Sequence, residues 1–226
     1  MPLPRLRRHY PRLDLERDLP SLAPRRPAKD VVPRTPHPIE VESFRILRSL
    51  VDTVALPPCT RAVVERVVHT SADPAWADDL VCDEAALAAG RRALLDEAPL
   101  VVDVRMLAAG VTSRPSVVAL DLVDGPLPGL TRTAAGVRAA AAEHADGAVW
   151  AVGNAPTALR ELLRLAADGA VRPALVVGLP VGFVDAADAK AALRASGLPA
   201  VSNRSAKGGS AVAAAAVNAL LYADAP

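Results

Sequence analysis

The sequence predicts an α/β protein of three layers, with helices on both faces of a parallel sheet. Three observations carry this. Five short apolar runs lack polar alternation: Leu100-Val101-Val102, Val117-Val118-Ala119-Leu120, Ala148-Val149-Trp150-Ala151-Val152, Ala174-Leu175-Val176-Val177 and Pro199-Ala200-Val201. Such runs suit parallel strands buried on both faces. Most are separated by Ala- and Leu-rich segments of helical spacing, the alternation that builds a layered α/β sheet. Of the 226 residues 51% are apolar but only 3% aromatic, so Ala, Val and Leu must fill the core.

The elements follow in order. Residues 1–36 are rich in Pro and Arg with little periodicity, and read as a disordered or loosely docked extension. The folded domain spans 37–226. Ile39, Ser43, Ile46, Leu47 and Leu50 recur at helical spacing and predict a first helix after Pro38. A second follows the Pro57-Pro58 break. Thr60 is its expected cap, and Val63, Val64, Val67 and Val68 lie on one face. Asp83 is the expected N-cap of a third helix, with Leu87, Leu94 and Leu95 inward. The strand-and-helix alternation then begins.

Composition excludes several functions. Scarce aromatics argue against stacking on nucleic-acid bases. A net charge of +1 gives no general pull toward nucleic acid or membrane, so any anion recognition is local. Two cysteines, Cys59 and Cys82, make neither a disulfide framework nor a metal motif. No apolar run approaches the roughly 20 residues of a membrane span, and the first 30 residues lack a secretory h-region. The expected setting is the reducing cytoplasm.

In such sheets ligands bind beyond the carboxyl ends of the strands. Asp103 follows the first run and either caps a turn or contacts a ligand. Gly153-Asn154-Ala155-Pro156-Thr157 follows the third. Gly153 permits a close turn, and Pro156 suits the first position of a helix whose positive end faces the crevice. This is not a nucleotide fingerprint, although a phosphate-binding enzyme stays open on these residues alone. Gly178-Leu179-Pro180-Val181-Gly182-Phe183-Val184-Asp185 suggests backbone against something flat, or an ordinary helix start capped by Asp185. Arg132 stands at a helix N-terminus, where a cation and helix amides together suit an anion.

Two features point to chemistry. The stretch Asn203-Arg204-Ser205-Ala206-Lys207-Gly208-Gly209-Ser210 is a basic turn opening into a helix, suited to a carboxylate or phosphate. The chain has only three lysines, and Lys207 is one of them. His69 closes a valine-rich helix before Thr70-Ser71-Ala72-Asp73. A helix C-terminus favours imidazolium and is expected to raise its pKa, making His69 a candidate proton donor or only a C-cap.

Read together, His69-Thr70-Ser71-Ala72-Asp73, Asp103-Val104-Arg105-Met106, Thr131-Arg132-Thr133-Ala134-Ala135, Gly153-Asn154-Ala155-Pro156-Thr157-Ala158-Leu159, Pro180-Val181-Gly182-Phe183-Val184 and Lys207-Gly208-Gly209-Ser210 resemble the precorrin-8X methylmutase family, over about residues 38 to 222. The resemblance implies a flavodoxin-like fold with a five-stranded parallel sheet, and a homodimer with active sites near the interface. It implies transfer of a methyl group from ring carbon 11 to ring carbon 12 of a corrin precursor, without a cofactor or metal. His69 takes the catalytic position. Substrate contacts are expected from Arg66, Thr70, Asp103, Met106, Arg132, Gly153, Asn154, Thr157, Val181, Gly182, Phe183, Arg204, Lys207, Gly208, Gly209 and Ser210. Two places depart from the family pattern. Asp188-Ala189-Lys190 stands for the usual Glu-Ser-Lys, and Asn203-Arg204-Ser205-Ala206 stands before the basic turn where a Gly-Arg pair is usual. The alternative on the same fold is a tetrapyrrole-binding or carrier protein with weak catalysis.

Overall fold

The computed structural model describes residues 37–125 and 127–222. The extension expected at 1–36 lies outside them. Helix α1 (Pro38–Leu50) starts at His37, whose Nδ1 accepts the Ile39 N–H at 3.2 Å. Of its apolar residues only Leu47 is buried; Ile39, Ile46 and Leu50 face outward. Helix α2 (Pro58–Ser71) buries the valine face that the spacing predicts. Its cap differs from expectation. Thr60 lies inside the first turn, and the Cys59 and Thr60 amides donate to the Glu84 carboxylate at 2.9 and 2.8 Å. A carboxylate from elsewhere in the chain thus meets the positive end of α2.

Short α3 (Trp76–Asp79) leads into β1 (Leu80–Cys82) and α4 (Glu84–Leu95). Asp83 caps α4 as expected, accepting from the Ala86 N–H at 3.1 Å. Leu87 and Leu94 are buried, but Leu95 turns outward. The rest alternates: β2 (Leu100–Val102), α5 (Arg105–Gly110), β3 (Val117–Val118), a 3-10 turn (Ala119–Leu122), α6 (Arg132–Glu143), β4 (Val149–Val152), α7 (Pro156–Ala167), β5 (Leu175–Gly178), α8 (Ala186–Ala195), β6 (Ala200–Asn203) and α9 (Ser210–Tyr222).

The sheet runs β1-β6-β5-β4-β2-β3. Strands β2 to β6 are mutually parallel, but the sheet has six strands rather than the five expected. The sixth, β1, is an antiparallel edge strand with Leu80 opposite Asn203. Three residues cannot display a period, and their partner lies far along the chain, so β1 leaves no local mark in the sequence.

Alternate strand residues divide between two helical layers. Leu100, Val102, Val149, Ala151, Leu175 and Val177 join the core beneath α2, α4, α5 and α9. Val101, Trp150, Val152 and Val176 join the core of α6, α7 and α8. This is why the strands read as unbroken apolar runs. Helix α9 is apolar on nearly every side and is buried accordingly. Among the described residues no helix is long and apolar enough to cross a membrane.

Candidate active site

The turns that leave the parallel strands at their carboxyl ends form one connected rim. The β6–α9 turn is its centre. Asp79, at the end of α3, accepts from the Arg204 and Ser205 amides at 3.0 and 2.8 Å and from the Ser205 hydroxyl at 2.6 Å. The buried Asn203 carboxamide donates to the same carboxylate at 2.8 Å. Burial works to raise the Asp79 pKa, but these hydrogen bonds prevail and hold the carboxyl below its usual range. Edge strand β1 brings Asp79 here, so the sequence alone offers no pointer to it.

The two glycines of the turn serve different needs, close packing at Gly208 and a positive φ at Gly209. A Cβ on Gly208 would sit 2.4 Å from the carbonyl oxygens of Leu179 and Pro180. The Gly209 amide donates to the Leu179 carbonyl at 2.9 Å, and Gly209 takes φ +133. The Ser210 hydroxyl is buried without a hydrogen-bond partner among the described residues.

Neighbouring turns attach to this centre. Gly182 donates its N–H to the Ala206 carbonyl at 3.2 Å. Phe183 beside it is fully exposed and Val184 nearly so, an apolar loop with nothing packed on it among the described residues. Asp185 does not cap α8 with its side chain; it pairs with Arg160 at 2.5 Å. Gly153 packs under the start of α9, where a Cβ would meet Ala213 at 2.8 Å and the Ser210 Cα at 2.9 Å. Its role is close approach, since its φ is not among the positive values.

Asp103 braces a neighbouring turn through one oxygen, while its Oδ1 is buried without a hydrogen-bond partner among the described residues. It is 1% exposed, and its carboxylate accepts the Asn154 and Ala155 amides at 2.7 and 3.2 Å. Burial pushes its pKa up, against the opposing pull of those amide bonds. The carboxylate thus holds the two amides that lead into α7. The side chains of Asn154 and Thr157 remain exposed. Thr157 and Thr131 share a hydroxyl contact of 2.8 Å, which joins the starts of α7 and α6. Arg132, first residue of α6, is exposed and has no partner among the described residues. Met106 on α5 is exposed as well.

Lys207 reaches from the rim to the segment that follows α2. Its ammonium pairs with Asp73 at 2.6 Å and lies 5.8 Å from the Trp76 ring centroid. Asp73 comes after His69 in sequence, past the end of α2. The His69 ring stacks on Phe44 with centroids 4.8 Å apart and planes 9° from parallel. Its Nδ1 meets the Ser43 hydroxyl at 2.8 Å. Nε2 has no hydrogen-bond partner among the described residues. The hydroxyl can donate to neutral Nδ1 or accept from imidazolium, so it orients the ring in both protonation states. Phe44 has no mark in the sequence as a site residue, and Ser43 shows only as a helix position.

The expected upward shift of His69 is not found. Burial, and then the nearby Arg66 guanidinium, move its pKa below the usual value, with Glu40 offsetting part. The expectation came from the helix end alone and left out the burial and the Arg66 charge that packing brings. Arg66 points away from the rim toward α1, paired with Glu40 at 2.8 Å and lying over Phe44 at 5.2 Å. Thr70 is exposed at the end of α2.

A cavity lies away from the rim. About 960 Å³ opens between α1, α2, α4 and the end of α9, and Arg66 is the one expected site residue on its wall. No cluster of metal-ligating side chains occurs among the described residues, and Cys59 and Cys82 are free thiols.

Comparison with known proteins shows the family. The model of the precorrin-8X methylmutase family matches residues 38–223. The chain is 42% identical over 190 residues to a precorrin-8X methylmutase of Pseudomonas aeruginosa, covering 79% of this chain and 91% of that protein. It is 39% identical over 167 residues to a cobalt-precorrin-8 methylmutase of Methanocaldococcus jannaschii, covering 70% and 77%. A solved structure of the precorrin-8X methylmutase from Thermus thermophilus superposes with a TM-score of 0.73 at 36% identity, covering 81% of this chain and 95% of that one. The chain therefore belongs to the precorrin-8X methylmutase family.

Proposed function

We propose that the rim holds a flat, polycarboxylate tetrapyrrole while His69 protonates or strongly hydrogen-bonds its conjugated ring. The activity is the family's: precorrin-8X methylmutase, an intramolecular methyl transfer in cobalamin biosynthesis. One carbon–carbon bond breaks at ring carbon 11 as another forms at ring carbon 12. The product is hydrogenobyrinic acid, or cobyrinic acid where cobalt is already present. No atom is gained or lost. Positive charge placed on the ring by His69 favours the shift and selects the product tautomer. General acid help of this kind contributes on the order of 100- to 10,000-fold.

The observation that carries this reading is the setting of His69. Ser43 and Phe44 fix the ring, and Nε2 is left free to face a ligand. Arg132, Arg204 and Lys207 then serve the peripheral carboxylates. Lys207 exchanges Asp73 for substrate, Arg204 keeps the Asp78 carbonyl on one guanidinium nitrogen at 2.6 Å and offers the others, and guanidinium forks fix orientation. Val181, Phe183 and Val184 supply an apolar surface for the macrocycle face. The 2-1-3-4-5 order of the five parallel strands supports a flavodoxin-like description, with β1 added at the edge. The open apolar loop supports a homodimer whose partner helps to enclose the site. The setting is the cytoplasm, and no cofactor takes part.

An absorbance assay tests this, because the migration changes ring conjugation. Purified protein is expected to convert substrate to the product chromophore, and His69→Ala to lose most of that turnover while still binding product. Unchanged turnover in His69→Ala removes the imidazole from the chemistry. Binding without turnover in the unaltered protein makes it a carrier.

A further inference from the structure

Among the described residues Lys190 is the largest fully buried charged side chain, and the site leaves it unexplained. It projects from α8 and is completely buried. Its Nζ donates to the Asn203 carboxamide oxygen at 2.8 Å and to the Lys207 carbonyl at 2.5 Å. The Asn203 carboxamide in turn donates to Asp79 at 2.8 Å and to the same Lys207 carbonyl at 3.0 Å. Arg194, one turn further along α8, donates to the Asn203 carbonyl at 2.8 Å. A buried polar chain thus runs from α8 through Asn203 to Asp79, and the backbone of the β6–α9 turn rests on it.

We propose that Lys190 is a positioning residue for the methylmutase reaction: through Asn203 and the Lys207 carbonyl it fixes the β6–α9 turn so that Arg204 and Lys207 face the substrate carboxylates. This rests on the reading that the turn holds substrate.

The chemistry asks for an ammonium at this place. Asn203 and Lys207 present two oxygen acceptors inside the protein, and a buried acceptor without a donor costs its full desolvation. Lysine reaches both from a helix behind the turn. Asp79 beyond Asn203 supplies the opposite charge, and Arg194 of the same helix opposes it. Burial first, then Arg194, brings the Lys190 pKa down to about 8, with Asp79 acting in the other direction. The group is thus held in place by the geometry of its acceptors rather than by a direct ion pair. Asn203 and Ser205 belong to the stretch where the sequence departs from its family pattern. The Asn203 carboxamide links the lysine to Asp79, and Ser205 adds two bonds to that carboxylate.

Steady-state kinetics by absorbance on Lys190→Met, Lys207→Ala and Arg204→Ala test this, with melting temperatures as the control. Lys190→Met keeps the stem and removes both donors. Its KM is expected to rise about tenfold, with kcat changed less than about threefold. The two turn variants should raise KM in the same way. A purely structural role would lower melting temperature and active fraction while leaving KM unmoved. If the turn variants raise KM and folded Lys190→Met does not, the positioning role is overturned and the substrate-holding turn stands. If none of the three raises KM, the turn is not a substrate contact and both ideas fail. Should Lys190→Met not fold, hydrogen exchange on the unaltered protein decides. The Arg204, Ser205 and Gly209 amides, bonded to Asp79 and to the Leu179 carbonyl, are expected to exchange as slowly as those of β6. Exchange at the rate of open peptide overturns the proposal.

Discussion

Glu65 provides the prediction whose size the structure sets most directly. It is 4% exposed on α2 and receives the Arg48 guanidinium of α1 through two bonds, 3.0 and 2.7 Å. The Thr53 hydroxyl at 2.6 Å and Arg61 at 3.1 Å complete its shell. Burial alone would raise its pKa; Arg48, Thr53 and Arg61 prevail and hold it at about 2, against an ordinary 4.5. At about 1.36 kcal/mol per pH unit, that gap is worth about 3 kcal/mol of stability at neutral pH. The folded value is the depressed one, so this stabilisation is complete above 4.5 and is lost as pH falls toward 2. Glu65→Gln is therefore expected to lower stability by roughly 3 kcal/mol at pH 7. The difference from the unaltered protein should shrink below about 1 kcal/mol near pH 2.5. Urea denaturation of both proteins across this range measures it. A difference that does not change with pH, or no destabilisation at pH 7, refutes the reasoning. The same pair holds α1 against α2, and α1 carries Ser43 and Phe44 onto His69. Loss of Glu65 should therefore reduce kcat as well.

Other outcomes follow from the site. Replacing His69 by Asn should reduce kcat by about 100- to 10,000-fold with little change in KM, read in the absorbance assay. As a proton donor with a lowered pKa, His69 should make kcat/KM fall as pH rises through a value below 6.5. The corresponding limb of kcat should lie higher, because bound carboxylates offset Arg66; a rate that instead rises with pH excludes the donor role. Gly208→Ala must displace the turn from the Leu179 and Pro180 carbonyls, and should raise KM severalfold with a lowered melting temperature. Arg132→Ala should raise KM about tenfold without altering melting temperature, since Arg132 has no partner to lose among the described residues.

Much of the fold could be read because burial on two faces leaves a plain mark. The runs at β2, β4, β5 and β6 are continuous and apolar, and the structure shows why in the alternation of Val101 and Val102 between two cores. The run at Val117 ends early, in a 3-10 turn at Ala119. Glycine and proline after the strands marked the turns correctly, but not their tasks. Gly153 and Gly208 answer to neighbouring backbone and side chains, and Asp103 to two amides, none of which is local in sequence. The shift of His69 went the other way for the same reason: the helix end is a local effect, while Arg66, Glu40 and the cover from α1 depend on how helices pack. Asp79 was hidden most completely, and Lys190 was marked only by the motif it ends, not by any task. Their importance arises only once β1 pairs with β6 and α8 lies behind the turn.

A crystal structure with bound product would show where the macrocycle sits. It is expected on the strand-end rim, its carboxylates on Arg132, Arg204 and Lys207, with His69 Nε2 within hydrogen-bond distance of the ring system. A macrocycle seated in the groove between α1, α2 and α4, with Nε2 turned away from it, contradicts the account.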